Sequence, residues 1–285
     1  MPVNAVAFDR KMRGGAQAHL LRADETGPDG EPAWYVTKFV ENPQHRRILI
    51  NEWISSILLE YLQISCPRVA VIQLTREFVL AESANVYLQL GSRRQQVAAG
   101  WHFGSRFPGN PARLAVYDYL PDTLLDQVFN ARDFLGILVF DKWTGNADAR
   151  QAIFFRSRIR DWLDDPAVAP MQKGFVAQMV DHGYAFGGPQ WAFIDAPLQG
   201  LYYRHRVYRQ VAGWRDFEPW LERIETLPES ILDEAFRKVP RAWLGDDELE
   251  LEKLLLKLHQ RRTDVRRLIE DCACCRQSPF PNWKP

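Results

Sequence analysis

The feature that most limits the fold is a change of hydrophobic period near residue 42. Upstream, residues 18–22 and 33–40 are short strand-like runs, the second rich in β-branched and aromatic side chains. The turn-rich stretch Ala23 to Pro32 separates them, which predicts a hairpin. Downstream, Ile48, Ile50, Trp53, Ile54, Ile57, Leu58 and Tyr61 recur at helical spacing and predict a helix over 44–62. Residues 69–74 and 85–90 then return to strand patterning. The order strand, strand, helix, strand, strand defines a small α+β lobe, assigned to residues 1–115.

Residues 100–120 hold Gly100, Gly104, Pro108, Gly109 and Pro111 and read as the irregular connection to a second lobe. That lobe, residues 116–285, is mainly helical by pattern. Asn130 is placed to cap a helix over 131–143, and further helices are expected over 214–227, 228–238 and 246–269. Between the strand-like runs 152–155 and 175–180, Leu163 to Gly174 reads as an insertion loop. The fold class is α+β and bilobal.

Several function classes fall away on composition. Lys+Arg and Asp+Glu both number 36, giving a formal net charge of zero, so nothing global favours nucleic acid. No apolar run approaches the roughly 20 residues that span a bilayer. The first residues lack the apolar core of a secretory signal, and four cysteines are too few for a disulfide framework. The chain reads as cytoplasmic, with no membrane partner.

Four local signals carry chemistry, and each has an ordinary alternative. Gly14, Gly15, Ala16 and Gln17 precede a strand; paired glycines let backbone N–H groups approach an anion closely, although a plain tight turn looks the same. Lys38 shares a strand face with Val36 and Val40, where an ammonium needs a partner or serves an edge strand. Glu52 lies beside the apolar stripe of the 44–62 helix, where solvated glutamates are common. Asp148 and Asp181 each sit where regular structure gives way to loop, a place aspartate also favours for its turn hydrogen bonds. Asp181 suits a hard divalent cation, and Asp148 suits deprotonation of a hydroxyl.

Taken in order, these parts match a kinase: a Gly-rich turn, strand Lys, helix Glu, loop Asp, then Asp-x-Gly after a strand. The sequence resembles the HipA-like kinase family in the Gly14–Gln17 turn, in the segment Phe140 to Phe154 and in Val180-Asp181-His182-Gly183. The similarity spans roughly residues 10–260 and is sharp only in these segments. The resemblance implies a protein-kinase-like fold, ATP and Mg²⁺ as cofactors, and a Ser or Thr hydroxyl of a protein as acceptor. It assigns Lys38 to the ATP phosphates, Glu52 to Lys38, Asp148 to the acceptor hydroxyl and Asp181 to Mg²⁺. Backbone amides of Gly14 to Gln17 would cover the phosphates. The sequence departs from the pattern at Ile153, where a second metal-binding Asn is expected, and at Arg150, where a His is expected. Asn146 or Gln151 are the substitutes within reach in sequence. These departures keep open the alternative of a pseudokinase that binds nucleotide or a protein partner without catalysis.

Other clusters point elsewhere than to function. Cys272, Cys274 and Cys275 are spaced too tightly for a mononuclear zinc site. His102 reads as structural rather than as lining a cleft. The aromatic run from Trp191 to Trp220 reads as interhelical packing, and Arg261, Arg262, Arg266 and Arg267 as a solvated helix face.

Overall fold

The computed structural model describes residues 2–27, 30–162 and 166–284. Leu163 to Asp165 of the expected insertion loop, and Pro28 and Asp29 of the expected hairpin turn, lie outside them. Five strands close a barrel in the order β1-β2-β3-β7-β4: β1 Val3–Lys11, β2 His19–Thr26, β3 Pro32–Lys38, β4 Val69–Leu74 and β7 Gly100–Arg106. Neighbours run antiparallel except β1 and β4, which meet in parallel at Val3–Ile72 and Asn4–Gln73. Between β3 and β4 lies α1, Arg47–Leu62. Between β4 and β7 lie α2, Arg76–Ala81, and the two-stranded β5–β6 hairpin, Tyr87–Leu90 with Arg93–Gln96.

The 100–120 stretch is therefore not the irregular connection the glycines suggest. Its first seven residues form β7, which pairs with both β3 and β4. Gly104 is there because two neighbouring side chains cross its position: a Cβ would sit 2.4 Å from Ile72 Cγ1 and 3.2 Å from Tyr35 Cδ1. A strand glycine at a close approach looks like a turn signal in sequence. The connection proper runs over 107–121 and contains only the short β8, Val116–Tyr117.

The second part begins with α3, Asp122–Leu125, and α4, Asp133–Thr144, followed by the hairpin of β9, Gln151–Arg158, and β10, Lys173–Val180. β8, β9 and β10 form a separate three-stranded sheet. Asn130 does not cap α4. Its amide donates to Asp133 and to Ala177 O and accepts from Ala177 N, which ties the approach to α4 onto β10. The remaining helices are α5 Trp220–Glu225, α6 Glu229–Lys238, α7 Arg241–Leu244, α8 Glu248–Arg261 and α9 Val265–Cys274. Two expected helices are shorter than their patterns. Pro219 separates the 3-10 turn at 214–217 from α5, and residues 262–264 divide the 246–269 pattern into α8 and α9.

α1 is not half-solvated. Ile48, Leu49, Ile50, Ile54, Leu58, Leu59 and Leu62 are fully shielded, as are Asn51 and Ser55. Burying each large aliphatic side chain contributes about 1.5–3 kcal/mol. The helix belongs to the same apolar core as α4 to α9, while the barrel interior has its own smaller core around Leu21, Tyr35, Ile72 and Leu74. Barrel and helical part thus meet across α1. No helix among the described residues is long and apolar enough to cross a membrane.

Candidate active site

Lys38 ends β3, opposite Phe103 of β7, and is 9% exposed. Its Nζ lies 2.5 Å from Glu52 Oε1 and 2.8 Å from Asp181 Oδ1. A buried ammonium is stable only with such partners. Burial works against the charge on Lys38, but the two carboxylates outweigh it and raise the ammonium's pKa. Lys38 in turn holds Asp181 below the ordinary carboxylate range. Burial pushes Glu52 the other way, and Asp181 adds to that push despite the ion pair. Between the two carboxylates, the ammonium favours charge on Asp181 while burial opposes charge on Glu52.

Glu52 reaches Lys38 on a helix clamped by the segment that follows Asp181. Asn51 donates to the carbonyls of Gly183, Ala185 and Gly188 and accepts from Trp191 Nε1. One turn earlier Arg47 donates to both carboxylate oxygens of Asp247 and stacks 4.1 Å from the Trp191 ring. Gly183 is required where the helix crosses, since a Cβ there would lie 2.5 Å from Ile48 Cγ2.

A buried network holds Asp181 itself. Arg150 and Asp141 are both fully buried and joined by two hydrogen bonds, Nε to Oδ2 at 2.8 Å and Nη2 to Oδ1. Arg150 Nη1 also reaches Val180 O at 2.9 Å and His182 Nδ1 at 3.0 Å. Arginine only donates, so His182 accepts at Nδ1 and carries its proton on Nε2, which donates to Met179 O at 3.1 Å. Burial, reinforced by the guanidinium charge, keeps this imidazole neutral. The residues before and after Asp181 are therefore anchored to one guanidinium, while Asp181 sits between them in the left-handed region at φ +60°. Its second oxygen accepts from Gln151 Nε2 at 3.0 Å.

Asp148 is exposed, on the loop between α4 and β9. That loop adjoins the segment after Asp181: Ala147 N donates to Tyr184 O at 2.9 Å, and Gln151 pairs with Val180. Asp148 is three residues from Gln151, at most about 11 Å of chain. Asn146 is enclosed, its Nδ2 bonded to Asp141 and its Oδ1 accepting from Asp148 N. Ile153 lies within β9 opposite Gln178. Among the described residues no cluster of three or more His, Cys, Asp or Glu is placed to hold a metal.

The Gly14–Gln17 turn joins β1 to β2 at the Lys38 end of the barrel, since His19 pairs with Thr37. Gln17 N closes the turn on Gly14 O, and the Gln17 amide is taken up by both backbone groups of Gln89. The N–H groups of Gly14, Gly15 and Ala16 have no acceptor among the described residues. His102 is structural: it accepts from Val40 N and donates to Ala98 O, and burial lowers its pKa to about 4. Of the basic run on the last helices, Arg261 pairs with Asp195 and Arg266 with Glu225. A cavity of about 940 Å³ lies apart from the site and is lined by none of Lys38, Glu52, Asp148 or Asp181.

Sequence reasoning missed Asp141, Asn51 and the role of Arg150. The signal for Asp141 was present: with Lys142 it forms a charged pair inside the otherwise apolar run Phe134 to Trp143, and such a pair must be satisfied internally. Lys142 is satisfied by the carbonyls of Ala196, Pro197 and Gln199. No protein-family model matches the chain, and no curated protein matches it, so a functional reading rests on this geometry.

Proposed function

We propose that the chain is a phosphotransferase of the bilobal, protein-kinase-like class that moves the γ-phosphoryl group of ATP to a hydroxyl, with Ser or Thr of a protein as acceptor. The observation that carries this reading is Lys38 Nζ held between Glu52 of α1 and Asp181 after β10, at 2.5 and 2.8 Å. A strand lysine oriented by a helix glutamate beside a loop aspartate is the arrangement that positions nucleotide phosphates in kinases. The unpaired N–H groups of the Gly14–Ala16 turn, at the same end of the barrel, suit phosphate oxygens. Asp148 has an exposed carboxylate on the loop beside Asp181 and would take the proton of the acceptor hydroxyl as its oxygen attacks phosphorus.

Mg²⁺ usually takes one or two carboxylates and completes its shell with water and phosphate oxygens. Ionised Asp181 fits that requirement, whereas Gln151 turns its Nε2 rather than its oxygen to Asp181 and Asn146 is enclosed. When bound, the ion neutralises charge on the phosphates. Lys38 adds a second positive charge there, Glu52 aims it, and Arg150 fixes the backbone on either side of Asp181.

Thermal unfolding with ATP, with Mg²⁺ and with both tests the reading. A ligand selective for the folded state adds about 2.7 kcal/mol at a hundredfold excess over its Kd. An ATP shift that grows with Mg²⁺, shrinks in Asp181→Asn and accompanies label transfer from [γ-³²P]ATP is the expected result. No shift at millimolar ATP refutes it. A second reading, a nucleotide-binding pseudokinase, is favoured by Ile153 and predicts an ATP shift indifferent to Mg²⁺ with no transfer.

A further inference from the structure

The cavity of about 940 Å³ is an open cleft lined by the start of β3, the end of β7, α1, the 64–69 connection and the end of β9. Its volume is at the upper end of the range of small-molecule sites. The charged groups on its wall are Arg68, Arg106, Arg158 and Lys238 against Glu60 and Asp161, an excess of cations. Arg158 is satisfied by Asp161 at 2.9 Å and Lys238 by Glu234 at 2.5 Å. Arg68 has no side-chain partner among the described residues, and Arg106 reaches only Glu25 at 3.9 Å, beyond hydrogen-bond distance. The two arginines start from bonded backbones, Arg106 N to Arg68 O at 2.8 Å. Arg68 is exposed and Arg106 half-buried, and two guanidiniums carried on paired backbones with unused donors suit an anion.

A second observation concerns the same wall. Trp34 Nε1, Trp53 Nε1 and Gln178 Oε1 are buried polar atoms without a hydrogen-bond partner among the described residues, and all three residues line this cavity. Native proteins leave few such atoms, and several around one cavity ask for an explanation. The terminal torsions of Trp and Gln are broad, and rotation about them is the motion that would bring these atoms to a ligand. They would then offer two N–H donors and one acceptor, beside flat aromatic faces.

We propose that this cavity is a second ligand site, for a flat aromatic anion carrying one N–H or O–H donor. The anion engages Arg68 and Arg106, the ring system lies against the tryptophans, and the ligand's donor meets Gln178 Oε1. Aromatic carboxylates and nucleoside monophosphates share this chemistry. The proposal stands independently of the phosphotransferase reading, because no residue of that site takes part.

The indole N–H groups report on the site directly. The chain has 10 tryptophans, and Trp34→Phe and Trp53→Phe assign two of the indole cross-peaks in a ¹⁵N–¹H spectrum. Titration with indole-3-carboxylate, and separately with AMP, is expected to move these two peaks saturably at one ligand per chain. Saturation by the carboxylate alone assigns the site to aromatic carboxylates, and by AMP alone to nucleoside phosphates. Arg68→Gln removes a charge-assisted contact and weakens binding about tenfold or more. Gln178→Leu weakens binding while raising the melting temperature of the unliganded protein, because a buried acceptor without a donor is removed. The proposal is overturned if both peaks stay fixed at millimolar concentrations of both probes, if only other indoles move, or if Arg68→Gln binds as tightly as the parent.

Discussion

Replacing Arg150 with Met tests the network behind Asp181. Met matches only the stem of Arg and ends short of the guanidinium, leaving Asp141 Oδ1 and Oδ2, Val180 O and His182 Nδ1 without that donor. Only Asn146 Nδ2, at 3.0 Å, still serves the Asp141 carboxylate. Both members of the ion pair are fully buried, and removing one partner of such a pair costs about 3–5 kcal/mol because the other charge stays behind. Urea unfolding followed by tryptophan fluorescence at pH 7 should show a loss of that size. The combined variant Asp141→Asn/Arg150→Met should recover at least about 1 kcal/mol of it, as expected for coupled neighbours. The pH dependence has a definite sign. Without Arg150 the folded-state pKa of Asp141 rises further above its unfolded value, so the folded variant binds more protons than the unfolded chain. Its deficit therefore narrows as pH falls toward the unfolded carboxylate pKa. Since Arg150 also anchors the residues flanking Asp181, the Mg²⁺-dependent part of any ATP stabilisation should shrink in the same variant. A loss below about 1 kcal/mol, or a double variant whose loss equals the sum of the single losses, refutes the reasoning.

Asp148→Asn removes an exposed carboxylate and should change stability by less than about 0.5 kcal/mol, yet abolish phosphoryl transfer; full transfer activity eliminates Asp148 as the acceptor's base. Gly104→Ala should cost about 1–3 kcal/mol by overpacking against Ile72, measured by chemical denaturation, and the added substitution Ile72→Ala should return part of that loss. His102, at about 4, and His182, well below 6.5, are both neutral in the folded protein. Their folded pKa values lie below the unfolded value, so their contribution is complete above it and is lost as pH falls. Between pH 6.5 and about 4 the slope from these two rings approaches ~2.7 kcal/mol per pH unit; a flat stability profile over that window contradicts their neutrality.

Lys38 and Glu52 are paired in the sequence reading through the resemblance to a kinase order of parts, not through any local pattern that joins them. The burial of Glu52 could not be read there. Helical periodicity assumes one wet face, and α1 has none to speak of: Asn51, Glu52 and Ser55 are as enclosed as Ile54 and Leu58. β7 was hidden for the opposite reason, since the glycine that looks like a loop signal makes room for Ile72 and Tyr35. β1 was hidden by Asn4 and Asp9 within its span, polar residues on a strand with many half-exposed positions. Asn130 reads as a local cap, yet two of its three side-chain hydrogen bonds go 47 residues away, to Ala177 of β10, and the third to the Asp133 side chain rather than to a helix N–H.

Those misreadings share a cause that also bears on how the site is built. A residue's local pattern identifies its element, whereas the chemistry here depends on where α1 rests between two cores. Arg47, Asn51 and Glu52 lie close together on that helix and address three different partners: Asp247 before α8, the carbonyls of the 183–188 segment, and Lys38 of the barrel. Two of the three belong to the helical part, and Gly183 admits the helix at that crossing. The lysine on the barrel is thus aimed by a helix whose position the other part sets. A shift of α1 would break the Lys38–Glu52 contact without altering either residue. The Asn51 clamp, with three donor contacts and one acceptor contact all inside the core, opposes that shift. Asn51→Leu would leave Lys38 and Glu52 intact in sequence while removing what keeps them in register.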